Sequence, residues 1–273
     1  LSPSAGLPGT LEAMLDYTVE DGVARIVLNR PQVLNVFDDE LGGLLRDRVA
    51  EAGADSEARC IVITGAGRAF SAGEDLAALA ERYEAGRPPD LGQILTQRYN
   101  PLIKELRAAP KPVVAGLNGV AAGAGASLAL ACDLRIASER ASLSFPFAKV
   151  GLVPDSGATW FLTRMLGTAR AWELALSGRS VSSAEALELG LVQEVVAADE
   201  LEARLRVVAA ELAHGPTTAQ ALTKGLIEAA VSHTLDEQLE AEALAQEVAG
   251  GTQDHLEGVR AFFSKRTPKF EGR

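Results

Sequence analysis

Residues 111–137 read KPVVAGLNGVAAGAGASLALACDLRIA, and their pattern decides the fold class. Pro112–Asn118 (PVVAGLN) is a short apolar run of the length of a buried strand. Gly119–Cys132 then turns into a helix built almost wholly from small residues, and DLRIA is a further strand. A strand, a glycine-bearing loop, a helix and a strand in 27 residues leave no room for a long excursion. The unit belongs to an α/β protein.

Working outward, the same grammar recurs. CIVIT (60–64) is a buried strand that runs into the glycine-bearing loop Gly65–Leu76 (GAGRAFSAGEDL). Before it, DYTVE and VARIVLN form strands around a turn at Asp21-Gly22. Asp38 is placed to cap a helix with Leu41, Leu44, Leu45 and Val49 on one face. Segment 81–90 (ERYEAGRPPD) reads as an exposed loop, and the helix of 91–107 should kink or restart at Pro101. SLSF is another short strand, and Ser182 with Glu185 has the form of a capping box for AEALEL, which Gly190 ends. From Asp199 the strand signal disappears, and helical patterns occupy 199–213, 217–231, 235–249 and 254–265. The division expected is a mobile N-terminal tail over 1–14, an α/β core over 15–198 and a C-terminal helical region over 199–273.

A formal net charge of −11 argues against nucleic acid as a partner, since phosphate binding runs on clustered Lys and Arg. It leaves room for an anionic small ligand at a local basic patch or at free backbone N–H groups. Cys60 and Cys132 sit in apolar stretches and read as buried thiols of a reducing compartment. No apolar run approaches the ~18 residues of a membrane span. LSPSAGLPGTLEAM lacks the pattern of a secretory leader, so a cytoplasmic location without membrane contact is expected.

Two loops are placed for chemistry: Gly65–Leu76 and Asn118–Ser127, each after a strand and before a helix. Such ends present free N–H groups at the positive pole of a helix dipole and, facing one another, would hold a developing oxyanion. Small residues there also serve close packing, and spacing alone does not separate the two uses. GAGRAF lacks the third glycine of a dinucleotide fingerprint, and GASLA lacks the last glycine of a nucleophile elbow. His214, His233 and His255 have no metal-ligand spacing, and no metal site is expected. Asp155, in VGLVPDSGATW (150–160), is an acid among apolar and small residues. It is either a cap of the helix that follows or a proton shuttle whose pKa burial has raised.

RIVLNRPQVLN, ITGAGRAFSAGEDL, the 111–137 segment, FAKVGLVPDSGATWFLTRMLG and the closing FFSKR, taken together, resemble the crotonase (enoyl-CoA hydratase/isomerase) superfamily from about Asp16 to the C-terminus. Within it, Tyr99-Asn100-Pro101, Ala121–Ser127 and Leu152–Asp155 are most similar to the phenylacetate-pathway isomerases, which rearrange ring-epoxidised phenylacetyl-CoA. The resemblance implies a spiral of ββα units with C-terminal helices that build a homotrimer, often paired into a hexamer. It implies an acyl-CoA substrate held through its thioester carbonyl by the backbone N–H groups of Glu74, after Ala72-Gly73, and of Ala124, after Gly123. Coenzyme A is then part of the substrate, and no separate cofactor is required. Ala72, Gly73, Asp75 and Leu76 fall in the loop that meets the adenine, with Val33, Leu34 and Val36 beside the nucleotide and pantetheine. Phe262 and Lys265 match a pair that stacks on adenine and neutralises phosphate, often across a subunit boundary. Phe147, Trp160 and Phe161 are candidates for the acyl pocket. At the positions of the two hydratase glutamates stand Ser127 and Phe147, whereas Asp155 falls where the family's isomerases place a functional aspartate.

The expectation is an acyl-CoA isomerase working through an oxyanion hole and Asp155, either on an aryl epoxide or on an enoyl double bond. One rival is an enoyl-CoA hydratase of fatty acid β-oxidation, against which Ser127 and Phe147 speak. Another is a non-catalytic CoA-ester or RNA-binding relative, disfavoured by the acidity and the intact Asp155.

Overall fold

Again and again the chain lays a strand in a large sheet, steps to a small one and returns through a helix. The computed structural model describes residues 14–273; of the expected tail, 1–13 lie outside the described residues. Strands β1 (Leu15–Glu20) and β2 (Val23–Leu28) form a hairpin whose turn residues Asp21 and Gly22 both take positive φ, 50° and 80°. That geometry matches the twist of the two strands. Helix α1 (Asp39–Ala54) starts where the Leu41 N–H donates to the Asp38 carboxylate at 2.8 Å, and it buries Leu41, Leu45 and Val49.

The next three strand pairs are β3 (Cys60–Gly65) with β4 (Ala69–Ser71), β5 (Val113–Leu117) with β6 (Val120–Ala122), and β7 (Leu134–Ser138) with β8 (Ser142–Ser144). Between the first two pairs lie α2 (Ala80–Glu84), α3 (Leu91–Ile94), a π-helical turn over Leu95–Tyr99 and α4 (Asn100–Ala108). Helix α5 (Ala124–Ala131) separates the second from the third. After β8 come α6 (Ala158–Ser177), β9 (Ser180–Ser182), α7 (Ser183–Glu188) and β10 (Glu194–Val196). The large sheet has the order β1-β2-β3-β5-β7-β10, parallel from β2 onward, and the small one β4-β6-β8-β9. This is the spiral of ββα units.

The central strand β3 is apolar and buried from Cys60 to Ile63 rather than alternating, because both faces of the sheet are covered. One face packs on α1, α4 and α5. The other is covered by α8 (Leu201–Ala213), whose Leu201, Leu205, Ala209 and Ala213 meet Cys60, Val62, Val114 and Ile136. The helices beyond 199 are therefore unlike one another. Helix α8 packs on the sheet, whereas α9 (Thr217–Ala229) and α10 (Leu235–Gly250) have no buried residue, and α11 (Gln253–Phe263) buries Asp254 and Ala261. Both cysteines are buried, and burial pushes each thiol up to about 12. Among the described residues no helix is long and apolar enough to cross a membrane.

Several local expectations need correction. The exposed segment 81–90 carries the end of α2, with Glu81 and Arg82 in its single turn and a half. The helix of 91–107 restarts at Pro101, as a ring without N–H requires, but through a π turn that adds a residue to the winding. Residues 120–122, read as the approach to a helix, form β6. Only half of the capping box at α7 forms: Ser182 Oγ accepts from the Glu185 N–H, while the Glu185 carboxylate pairs with Arg179.

The segment between β2 and α1 is pinned from inside by Asn35, fully buried at φ 54°. Its amide oxygen accepts the Arg30 N–H at 2.8 Å, and its amide nitrogen donates to the carbonyls of Ala66 and Ala69 at 3.0 and 2.8 Å. Asn118 Nδ2 reaches the same Ala69 carbonyl from the other side at 3.0 Å. Asn35→Ala strands the Arg30 N–H and the Ala66 carbonyl, at ~1 kcal/mol or more each, and removes one of two donors from Ala69, so urea unfolding should show a loss of roughly 2–3 kcal/mol. A loss below ~1 kcal/mol would show that the loop holds itself.

Candidate active site

The loop after β4 and the start of α5 meet without a side chain between them. A Cβ on Gly73 would stand 2.8 Å from the Ala122 carbonyl oxygen and 3.3 Å from the Ala124 nitrogen. Each of the two loops turns on a glycine in a backbone region that L side chains avoid, Gly73 at φ 91° and Gly123 at φ 53°, ψ −127°. The residue after each glycine carries the free N–H. Ala124 opens α5, where no intrahelical acceptor exists, and being helical it needs no unusual backbone angle. Glu74 forms a parallel bridge with Phe37 in which Phe37 donates to Gly73 and Asp75 donates to Phe37. The Glu74 N–H therefore points away from that bridge.

Glu74 and Ala124 line one cavity of about 280 Å³, together with Ala72, Leu76, Gly123, Phe147 and Asp155. The rest of the wall is largely apolar: Leu91, Ile94, Leu95, Val150, Leu152 and Val153, with Tyr83, Tyr99 and Lys149 as polar exceptions. A larger groove of about 760 Å³ between α9 and α10 has Glu242 as its lone ionisable side chain and offers no comparable chemistry.

Asp155 does not cap α6. That helix starts at Ala158 after Gly157, with no side-chain cap, and Ser156 and Gly157 both turn through positive φ. The turn leaves the Asp155 carboxyl in the cavity wall, where its one side-chain partner among the described residues is the Ser156 hydroxyl at 2.9 Å. Burial pushes its pKa up to about 6; the Ser156 hydrogen bond opposes the rise, and the Glu74 charge adds to it. The Asp155 carbonyl accepts from the Ala158 N–H at 2.9 Å and lies 3.1 Å from Ser127 Oγ, which also reaches the Gly123 carbonyl at 3.1 Å. Ser127 is thus a buried tie between two loops. Phe147 is nearly buried, its ring tip 3.8 Å from where a Gly123 Cβ would lie.

The Glu74 carboxylate is gripped by Arg98, at 2.8 and 2.9 Å, and by the Tyr99 hydroxyl. Arg98 also bonds Asp39, and these two acids hold its charge more firmly than burial weakens it. Burial and the Glu74 charge together keep the proton on Tyr99.

The structure brings most of the expected residues together. Val33, Leu34 and Val36 flank the same loop through the Ala72 N–H to Leu34 carbonyl bond at 3.0 Å and through Arg30. That guanidinium donates to the Val36 carbonyl and pairs with Asp38 and Asp75. Phe262, 80% exposed, and Lys265 stand at the end of α11, apart from the cavity lining. Trp160 and Phe161 lie outside the cavity lining: Phe161 is core, and Trp160 stacks under Arg164 at 3.8 Å. Arg98, Tyr83, Ile94 and Leu95 were not foreseen. Their part depends on a helix folding back over α1, which no local pattern announces. Among the described residues no group of three His, Cys, Asp or Glu side chains is arranged to hold a metal.

The model of the enoyl-CoA hydratase/isomerase family matches residues 18–273. Over 265 residues, 96% of this chain and all of the relative, the chain is 44% identical to 1,2-epoxyphenylacetyl-CoA isomerase of Escherichia coli (strain K12). It is 34% identical to trans-2-decenoyl-[acyl-carrier-protein] isomerase of Streptococcus mutans serotype c (strain ATCC 700610 / UA159), over 94% of this chain and 97% of that protein. The crystal structure of an enoyl-CoA hydratase from Bacillus anthracis superposes with a TM-score of 0.88 at 34% identity, covering 95% of this chain and 100% of that one. The chain belongs to the enoyl-CoA hydratase/isomerase family, the crotonase superfamily, and is an enzyme that acts on CoA thioesters.

Proposed function

We propose that the chain is an acyl-CoA isomerase in which the Glu74 and Ala124 N–H groups hold the thioester oxygen and Asp155 moves the proton. The observation that carries the reading is Asp155: an uncapping, partly buried carboxyl in the cavity wall, raised to about 6, which suits a group that both takes and returns a proton near neutrality. Oxyanion donors stabilise the enolate that forms when a proton leaves the carbon beside the thioester. The Asp155 carboxylate takes that proton and, now a carboxylic acid, gives it to a second carbon of the conjugated system, so that the double bond migrates and the carboxylate is restored. With a ring epoxide the same acid assists C–O cleavage and rearrangement. The largely apolar wall of Leu91, Ile94, Leu95 and Phe147 suits a ring, and the 44% identical relative named for 1,2-epoxyphenylacetyl-CoA favours that substrate class.

Hydration is disfavoured because it needs a water activated by a carboxylate pair. Ser127 is bonded to backbone carbonyls, and Phe147 fills the other place with a ring. The CoA part of the substrate is assigned to Val33, Leu34, Val36 and the Ala72–Leu76 loop, with Phe262 and Lys265 supplied by a neighbouring copy. Exposed Leu235, Leu239, Leu244, Val248, Phe262 and Phe263 on α10 and α11 support a trimer or a hexamer of paired trimers.

Four measurements test this reading. With 3-enoyl-CoA as substrate, kcat/KM should rise with pH through about 6 as Asp155 ionises, and Asp155→Asn should lower kcat at least ~10³-fold with that substrate and with epoxyphenylacetyl-CoA. Crotonyl-CoA hydration should be slow by comparison; fast hydration without isomerisation would overturn the assignment. The same carboxyl should also register in stability. Because its folded pKa lies above the ordinary 3.8, its contribution favours folding at low pH and is lost as pH rises from about 4 to about 6. Asp155→Asn should therefore stabilise the protein above pH 6, by ~1–2 kcal/mol once solvent screening is allowed for; an unchanged melting curve would contradict a strained carboxylate. Sedimentation should report a multiple of three chains, and a monomer at micromolar concentration would remove the trans role of Phe262 and Lys265.

A further inference from the structure

Glu74 enters the reading above only through its backbone, yet its side chain is the most heavily bonded group in the cavity wall. Both carboxylate oxygens accept from one terminal nitrogen of Arg98, and one of them also accepts the Tyr99 hydroxyl. The other terminal nitrogen of Arg98 bonds Asp39 in the first turn of α1. The Arg98 stem reaches the site across α1 at Gly42, where a Cβ would stand 2.7 Å from its Cγ and Cδ. Tyr99 packs edge-on against Phe37, ring centroids 6.0 Å apart, and the Phe37 backbone holds Gly73 and Asp75, the two neighbours of Glu74. Side chain and main chain of one residue are thus anchored by the same small assembly. Arg98 and Tyr99 also sit in the π turn that carries Leu95 and directly follows Ile94, both walls of the cavity.

We propose that the Glu74 carboxylate is a positioning group: through Arg98 and Tyr99 it fixes the direction of the Glu74 N–H and couples that donor to the wall that meets the acyl group. The proposal rests on the reading of that N–H as an oxyanion donor. The physical need is plain. The donor peptide is held on its carbonyl side alone, where the Phe37 N–H donates to the Gly73 carbonyl at 2.7 Å, so an anchor on the Glu74 side chain narrows the range of the opposite edge. A displacement near 1 Å at such a donor costs on the order of 10²-fold in rate. The pair is shielded, with side-chain exposures of 8% and 21%, so it is not a freely hydrated surface contact.

The test uses the full-length protein and the isomerisation substrate on which the wild type is active. Kinetics are measured for Glu74→Gln, Glu74→Ala, Arg98→Met and the Glu74→Ala/Arg98→Met double variant, with butyryl-CoA as the unreactive binding probe. Glu74→Ala and Arg98→Met should each lower kcat by ~10–100-fold while butyryl-CoA affinity stays within ~3-fold. The double variant should be no worse than the weaker single, because the clamp acts as one unit. Glu74→Gln keeps an oxygen for Arg98 and Tyr99 and should recover most of the loss. Wild-type kcat in Glu74→Ala, or additive losses in the double variant, would overturn the proposal. So would a Glu74→Gln variant as inactive as Glu74→Ala and missing a limb of the pH profile, since that is the mark of a proton carrier. If Arg98→Met does not fold, Arg98→Lys serves, keeping the charge but losing the planar fork. Failure of the isomerase reading would appear instead in the wild-type substrate panel and in Asp155→Asn.

Discussion

The site depends on two backbone segments, 71–74 and 122–125, passing in direct contact. A Cβ on Gly125 would lie 2.3 Å from the Ser71 carbonyl, just as one on Gly73 would meet Ala122. Nothing larger than a hydrogen fits at either crossing. The stepping of the chain between a large and a small sheet follows from this contact, because β4 and β6 can pair only if the loops leaving them stay thin. Two residues that each follow a glycine, Glu74 and Ala124, thereby line one cavity.

Around this rigid contact the electrostatics divide the work. The acid on the loop after β4 is matched by a guanidinium and a phenol, while the acid before α6 has one weak hydroxyl partner. Two carboxyls that share a cavity are thereby given different environments, and the poorly matched one is the group whose pKa is raised. Burial supplies most of the difference. The neighbouring charge adds to it, so the well-matched acid helps to set the behaviour of the other.

Much of this was legible in the sequence, for reasons that can be traced. The strand at 60–64 and the four C-terminal helices carry long unbroken patterns, and their observed bounds lie within a few residues of those expected. Asp155 stood out because an acid among apolar residues is costly. The strands β4, β6, β9 and β10 were not legible, since three residues give little period to read; β8, equally short, showed only through the alternation of SLSF. The choice between cap and shuttle for Asp155 depended on the left-handed turn at Ser156, a conformation serine adopts only under tertiary constraint. Arg98 was invisible for a related reason: its partner lies 24 residues away, across a helix crossing set by Gly42.

Ser127 carries a consequence for the loop of Asp155. Its hydroxyl lies 3.1 Å from both the Gly123 carbonyl and the Asp155 carbonyl, so its one proton is shared between the start of α5 and a brace on the loop that bears Asp155. A longer acidic side chain at 127 gains a potential base and in the same step cuts that brace. A change at residue 127 is therefore felt at Asp155, although the two lie 28 positions apart in the sequence.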